Sequence, residues 1–259
     1  MKKNLLLLLA LCVWLSAEAQ QTPRFRIGIE SGTTVMTGKI DERWEFRLAR
    51  SHYLPEYLLE SENAEGTGKL QFIGLKPELS LWNDRITLAS GLRYVRVNER
   101  ITPFSSSNNS QLYLFLPSQQ GVELYRLREM KETLGYITVP LEADLVYWKS
   151  SRWQAFLKGG IQVGMKIHGE RSLDFASTEM ERYEVGIFAA AGRAPSGLFS
   201  DVYSGMGLRA ILEEGFHFSL TLLFPPLILT ENNFSLLTPH SFGGAQITFS
   251  APINLFSSK

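Results

Sequence analysis

Four histidines and one pair of carboxylates are the groups in this chain whose types invite chemistry. His52, His168, His217 and His240 are scattered, and Glu142 and Asp144 stand two apart inside the apolar run YITVPLEADLV (136–146). A histidine partnered by a serine or a carboxylate would suit a hydrolase. His168 is the nearest candidate, at the far end of the segment that follows the run. An extended chain advances about 3.3 Å per residue, so His168 lies many ångströms from Glu142 and Asp144. No G-x-S-x-G elbow surrounds Ser90 or Ser204. No H-x-H or H-x-x-x-H spacing offers a metal two ligands. GMGLRA (205–210) matches a dinucleotide-binding G-x-G-x-x-A pattern, but a turn and another extended segment follow where a helix should open. Small residues on a strand explain it better. No catalytic, cofactor-binding or metal-ligating residue is expected, and no cofactor.

The question then becomes what elements hold two carboxylates in so apolar a run. The dominant pattern is alternation with period two, the signature of strands. It runs through eight segments: Arg24–Val35, Leu70–Leu81, Ile86–Val97, Leu134–Trp148, Trp153–His168, Tyr203–Leu212, Gly215–Phe224 and Phe242–Ser250. One parity is apolar throughout, as in Ile137, Val139, Leu141, Ala143 and Leu145, or Phe216, Phe218, Leu220, Leu222 and Phe224. The other carries Arg26, Glu30, Lys76, Glu78, Arg93, Glu142, Asp144, Lys158, Lys166 and Arg209, diluted with Gly, Ser, Thr and Gln.

A soluble sandwich or lipocalin-like barrel would turn the apolar parity inward. Three features favour the opposite. Most segments reach about 10 residues, the length of a tilted transmembrane strand. Trp82, Tyr147, Trp148 and Trp153 gather at the short-turn end like an interfacial girdle. The polar face is rich in glycine (Gly28, Gly74, Gly91, Gly160, Gly164, Gly205, Gly207), as a narrow, side-chain-filled interior requires. The connections alternate as well. Trp82–Arg85, Lys149–Arg152 and Glu213-Glu214 are short, whereas Met36–Lys69, Asn98–Thr133, Gly169–Val202 and Pro225–Ser241 are long. The expected fold is therefore all-β: an eight-stranded antiparallel up-and-down transmembrane β-barrel with long extracellular loops and both termini periplasmic.

The start of the chain agrees. MKKNLLLLLALCVWLSAEAQ has a basic start, an apolar stretch and an Ala17-Glu18-Ala19 cleavage site, so residues 1–19 are expected to be a signal peptide and 20–259 the barrel domain. Cys12, the only cysteine, would leave with it, and Leu11 before it does not suit lipidation. Removing those 19 of the 259 residues leaves 240, with 24 basic against 25 acidic side chains, because Lys2, Lys3 and Glu18 depart. That balance gives no nucleic-acid footprint. Pro225-Pro226 and His217 interrupt the oiliest run, 216–229, so no helical span is expected.

Glu142 and Asp144 share the lumen parity. The tightest register through the Lys149–Arg152 turn sets Tyr147 opposite Trp153 and Glu142 opposite Lys158, and a shift of two sets Asp144 there. Either way the lysine falls between two carboxylates as a structural lumen ion pair. The expected lumen charge network is Lys76, Glu78, Arg93, Glu142, Asp144, Lys158 and Arg209. Pro77 and Pro140 fall inside strands, each lacking a ladder N–H, and a bulge at each would absorb them. In the second long connection, QLYLFL (111–116) and VELYRLRE (122–129) form an extended hairpin around PSQQG. It is read chiefly as strand continuing above the bilayer, with Tyr113, Phe115 and Tyr125 as a candidate contact surface.

Three stretches carry a family resemblance: YITVPLEADLVYW (136–148), LASGLRYVRVNER (88–100) and FLKGGIQVGMKI (156–167). They resemble the Tyr–aliphatic–x–aliphatic–Pro–Leu, Gly-Leu-x-Tyr and glycine-rich strands of the PorT-like outer-membrane β-barrel proteins of Bacteroidota. Glu142 departs from that family's aliphatic residue, and the ending APINLFSSK leaves the assembly signal at Phe249 or Phe256. The resemblance implies a small outer-membrane barrel, and with the signal peptide the expected location is the outer membrane of a Gram-negative bacterium, reached through the Sec pathway. The expected partners are outer-membrane lipids and lipopolysaccharide, the barrel assembly machinery, and envelope or secretion proteins. The expected role is non-enzymatic, acting through extracellular loops or within an envelope assembly, with a narrow channel or an outer-membrane hydrolase as alternatives.

Overall fold

The computed structural model describes residues 24–41, 44–48, 64–103, 112–118, 121–190, 194–231 and 233–253. The expected signal peptide, His52 and Phe256 lie outside them. Twelve strands form one antiparallel sheet: β1 (Arg24–Ile40), β2 (Glu45–Leu48), β3 (Ala64–Leu81), β4 (Ile86–Ser90), β5 (Leu92–Pro103), β6 (Leu112–Ser118), β7 (Gly121–Lys149), β8 (Trp153–Phe175), β9 (Leu198–Ile211), β10 (His217–Leu223), β11 (Leu227–Ile228) and β12 (Leu237–Pro252). Each stave pairs with the next, with β4 and β5 acting as one, and β12 returns to β1 through Arg26↔Pro252 to Ile40↔Leu237. The ring therefore closes on eight staves. Closure removes the sheet edge that would leave a row of unpaired backbone groups.

The apolar parity faces out. Leu141 is 59% exposed and Leu220 47%, and Ile27, Leu75, Leu92, Ile161, Met206 and Ile247 stand on the same outer surface around the ring. Tyr147, Trp148 and Trp153 lie exposed at the short-turn end. Both ends of the described chain sit there too, since Arg24 pairs with Ser80 and Pro252 with Arg26.

The staves run far past the expected ends, and much of what reads as long loop is strand: β7 spans 29 residues and β8 23. The reason is an inversion of polarity. On β5 the outward residues change from Leu92 and Tyr94 to Arg96, Asn98 and Arg100, while the inward ones change from Arg93 to Val95, Val97 and Ile101. On β3, Ile73 and Leu75 give way outside to Gln71 and Lys69, and Lys76 gives way inside to Phe72 and Leu70. Period two continues, but its phase reverses. A search for one apolar parity stops at the reversal. Above it β2, β6 and the start of β7 make a three-stranded extension. The upper ends of β5, β7 and β8 join it and a helix, α1 (Glu184–Ala190), around a core that includes Ile101, Leu114, Leu127, Met130, Leu173 and Ile187.

The prolines are accommodated differently from expectation. The register of β3 and of β7 against β4 and β5 is continuous, with no bulge at Pro77 or Pro140. Continuing those registers sets Pro77 beside Ser90 and Pro140 beside Gly91, the residue that separates β4 from β5. The Pro140 carbonyl accepts from the Ser90 hydroxyl (2.9 Å). In an antiparallel ladder a residue's nitrogen and carbonyl face the same neighbour, so the missing N–H of Pro140 points at Gly91. Both prolines meet one break, where Gly91 takes φ +151°.

Candidate functional site

The lower lumen is filled by charge. Five cations (Arg26, Lys76, Arg93, Lys158, Arg209) and five carboxylates (Glu30, Glu78, Asp84, Glu142, Asp144) form an ion-paired cluster buried there, with Asp201 buried beside it and linked to Arg93 through Gln162. Period-two alternation places nine of the cluster inside. Asp84 comes from the β3–β4 turn, where Trp82, Asn83 and Asp84 all adopt left-handed backbone, a conformation Asn and Asp tolerate best. Glu142 is the hub. Its Oε2 accepts from Lys158 (2.7 Å) and Lys76 (2.8 Å), and its Oε1 accepts from Arg93 (2.6 Å) and the Tyr203 hydroxyl (2.7 Å). Arg93 also grips Glu30 (2.7 Å) and lies over the rings of Phe72 and Tyr203. Lys158 reaches Asp144 at 3.1 Å, and Arg209 takes the other Asp144 oxygen at 2.5 Å. Arg26 meets Asp84 at 3.4 Å and Glu78 at 3.8 Å. All seven residues expected in the lumen network lie in this cluster.

The register is the shifted one. Asp144 stands opposite Lys158 and Glu142 opposite Gly160, because a bulge between Val146 and Trp148 leaves Tyr147 unpaired. Lys158 still sits between both carboxylates. The inward glycines make room for the large side chains opposite them. A Cβ on Gly160 would stand 2.6 Å from the Tyr203 ring, and one on Gly207 would stand 2.4 Å from the ring of Phe156, over which Arg209 lies. GMGLRA is thus lumen lining on β9.

Above the charges the filling changes twice. An apolar layer includes Leu70, Phe72, Val95, Leu134, Phe199 and Phe234. Over it, Glu99 and Glu132 stand directly opposite each other, each 1% exposed. Glu99 accepts the backbone N–H groups of Ser235 (2.9 Å), Leu236 (3.3 Å) and Leu237 (3.1 Å). Glu132 accepts from the Ser235 hydroxyl (2.7 Å) and is paired with Arg171. The connection from β10 to β12 is thereby folded into the barrel mouth as a plug, with Asn233 to Leu237 buried.

Burial, and after it the facing Glu132, holds the Glu99 carboxyl well above the ordinary glutamate range. The plugged state therefore keeps a proton that a released plug gives up. Its contribution to stability is fully present below the usual glutamate value of about 4.3 and is lost as pH rises through the raised one. Amide exchange at Ser235–Leu237, corrected for intrinsic rate, is expected to speed up as pH rises. Glu99→Gln should remove most of that dependence. A flat profile in the parent protein would refute the proton kept on Glu99.

The proposed contact trio is only partly on the surface. Tyr125 is a correction: it is buried at 8% in the upper core, its ring 5.6 Å from that of Tyr183. Tyr113 is half-buried, and the backbone of Phe115 pairs with Glu45 and Leu124, its side chain lying outside the described residues. His168 is exposed, with Glu170 at 3.9 Å. It stands opposite Gly135, far up the stave from Asp144. His217 is buried in the lower lumen. The sequence reading missed Glu99, Glu132 and Asp201, which sit on inward parity but beyond the phase reversal or outside the strands as first bounded.

No protein-family model matches this chain, and no curated relative matches it. Among solved structures it is similar to the translocator domain of autotransporter NalP from Neisseria meningitidis, at 10% identity and a TM-score of 0.31, with 92% of each chain covered. It is also similar to the transport unit of the autotransporter AIDA-I from Escherichia coli, at 7% identity and a TM-score of 0.21, covering 89% of this chain and 90% of that one. The barrel assignment rests on the ring closure itself.

Proposed function

We propose that this protein is a non-enzymatic, plugged barrel of the Gram-negative outer membrane, carrying a folded head outside the cell through which it engages an envelope or secretion partner. One observation carries the reading: the staves share an apolar outer belt, and on β1, β3, β5, β7 and β8 the outer surface turns charged above the polarity reversal. In water such a belt would be an aggregation hazard, whereas in lipid it is the surface a barrel needs. The signal-like start and the PorT-like resemblance support the same location and export through the Sec pathway. Outer-membrane lipids with lipopolysaccharide would contact the belt, and the barrel assembly machinery would insert it. The balanced charges, apolar layer and carboxyl-held plug support a closed lumen over a narrow channel. His168, exposed and far up the stave from Glu142 and Asp144, speaks against a hydrolase built on those carboxylates.

The test is spin labelling at single introduced cysteines. Labels at Leu141 and Leu220 are expected to be reached by oxygen and shielded from a water-soluble nickel reagent, and a label at Lys131 is expected to behave oppositely. A label at Leu141 that reports water, or a protein that stays a compact monomer without detergent, would overturn the reading. Planar bilayers should show no steady conductance.

A further inference from the structure

Among the described residues the barrel wall parts at a seam between β10 and β12. The β10–β12 ladder ends at Leu223↔Gly244. Beyond it the chain stays with β9 through Phe224 N–H to the Ser204 carbonyl, Leu227↔Val202 and Leu229 N–H to the Ser200 carbonyl. The upper half of β12 stays with β1. Pro225 and Pro226, at the point of parting, have no N–H with which to continue the ladder. The rim is apolar and exposed on its outer side at Val35, Val202, Leu222, Phe224 and Leu227.

Behind the seam a cleft of about 330 Å³, its open mouth included, reaches from Thr34 on β1 across to Phe224 and Pro226. Leu70, Leu223, Phe224 and Pro226 give it an apolar lining, and Asp201, Gln162, Tyr203 and Arg93, the last held by Glu30 and Glu142, give it a polar one. The Asp201 side chain is 2% exposed. One oxygen accepts from Gln162 (3.0 Å), while Oδ1 has no hydrogen-bond partner. A buried carboxylate oxygen left unpaired is costly, and the cleft as a whole encloses room for about one water-sized group.

We propose that the seam is a lateral binding site for a single-chain amphiphile from the outer leaflet, one whose small end group, a hydroxyl or an ammonium, donates to Asp201. The end group takes the water-sized space and satisfies Oδ1. The chain lies between Leu223, Phe224 and Pro226 and leaves through the seam into the bilayer. A bulky or two-chain head group does not fit a space of that size. The site rests on the proposed membrane location.

The test titrates the full chain, in a nonionic detergent, with 1-dodecanol, dodecylamine and 1-methoxydodecane, followed by native mass spectrometry. The alcohol and the amine are expected to bind one per barrel, and the ether, which has the same chain and no donor, at least tenfold more weakly. Asp201→Leu should remove that preference. If it fails to fold, Asp201→Asn, which keeps an acceptor and loses the charge, should weaken the amine more than the alcohol. A disulfide between Phe224→Cys and Gly243→Cys, positions that the broken ladder would have paired, should block binding until it is reduced. Equal binding of ether and alcohol, indifference to Asp201, or binding unchanged by the closed disulfide would each overturn the site. Labels at Leu141 and Leu220 that still report lipid would show that the barrel reading survives such a failure.

Discussion

Replacing Glu142 by alanine is expected to destabilise the barrel by about 3–5 kcal/mol, the range for removing one partner from a buried ion pair. The physical reason is charge balance among side chains that are all buried. Within the ion-paired cluster five cations face five carboxylates, and Glu142 alone touches Lys76, Arg93 and Lys158. Without it Lys76 and Arg93 keep Glu30, and Lys158 keeps Asp144, but one positive charge is left over and Tyr203 loses its acceptor. Lys158 is the cation best removed in compensation, because Asp144 still has Arg209. Glu142→Gln with Lys158→Met restores four against four and should recover most of the loss. The two effects would then be strongly non-additive, as coupled neighbours are. Urea unfolding of the detergent-folded protein measures all three variants. A loss below about 1 kcal/mol for Glu142→Ala, within the surface-pair range, would mean that the lumen is wet and the hub is not a hub.

The hub was legible because strand parity is a two-valued code. Once Leu141 and Leu145 face out, Glu142 and Asp144 face in, and Lys158 must follow from the next stave. The partner at each position was less legible. A single unpaired residue at Tyr147 moved Lys158 from Glu142 to Asp144, and nothing in YWKSSRW distinguishes a bulge from a longer turn. The ends of the staves were hidden for a different reason. Beyond Tyr94, Ile73 and Ile137 the surroundings of the outer face change, so Arg96, Lys69 and Lys131 stand outside while Val97, Leu70 and Leu134 stand inside. The alternation is intact there, and only its sign changes. Glu99 looked like loop because it follows that reversal, although it shares parity with Arg93, Val95 and Val97. The plug could not be read at all, since Ser235–Leu237 bond to Glu99 through backbone N–H groups that carry no side-chain signature. The seam was half visible: Pro225-Pro226 announced a broken ladder, but which neighbour the chain would abandon depended on tertiary pairing.

Gly91→Ala is expected to be the most damaging single-atom-scale change in the wall, destabilising by about 2–6 kcal/mol from backbone strain and overpacking together. Gly91 holds φ +151°, and a Cβ there would lie 2.1 Å from the Leu75 carbonyl oxygen and 2.9 Å from the Cα of Lys76. Both obstacles are backbone, so no side chain can swing aside. The conformation is needed because Pro77 and Pro140 reach the same place from the two neighbouring staves. Pro140 has no hydrogen to offer, and the chain opposite must depart from the ladder at that residue. Shifting β4 or β5 to relieve the clash would move Arg93, two residues on, out of its grip on Glu30 and Glu142, so strain in the wall becomes misplaced charge in the lumen. Gly159→Ala and Gly243→Ala are the controls, because a Cβ at either meets nothing within 4 Å. They should stay within about 0.5 kcal/mol of the parent. Folding yield in detergent, scored by the heat-sensitive gel shift of the closed barrel, and urea midpoints compare the three. If Gly91→Ala folds as well as Gly159→Ala, the break at Gly91 is incidental, and the two prolines must be accommodated by movement of β3 and β7 instead.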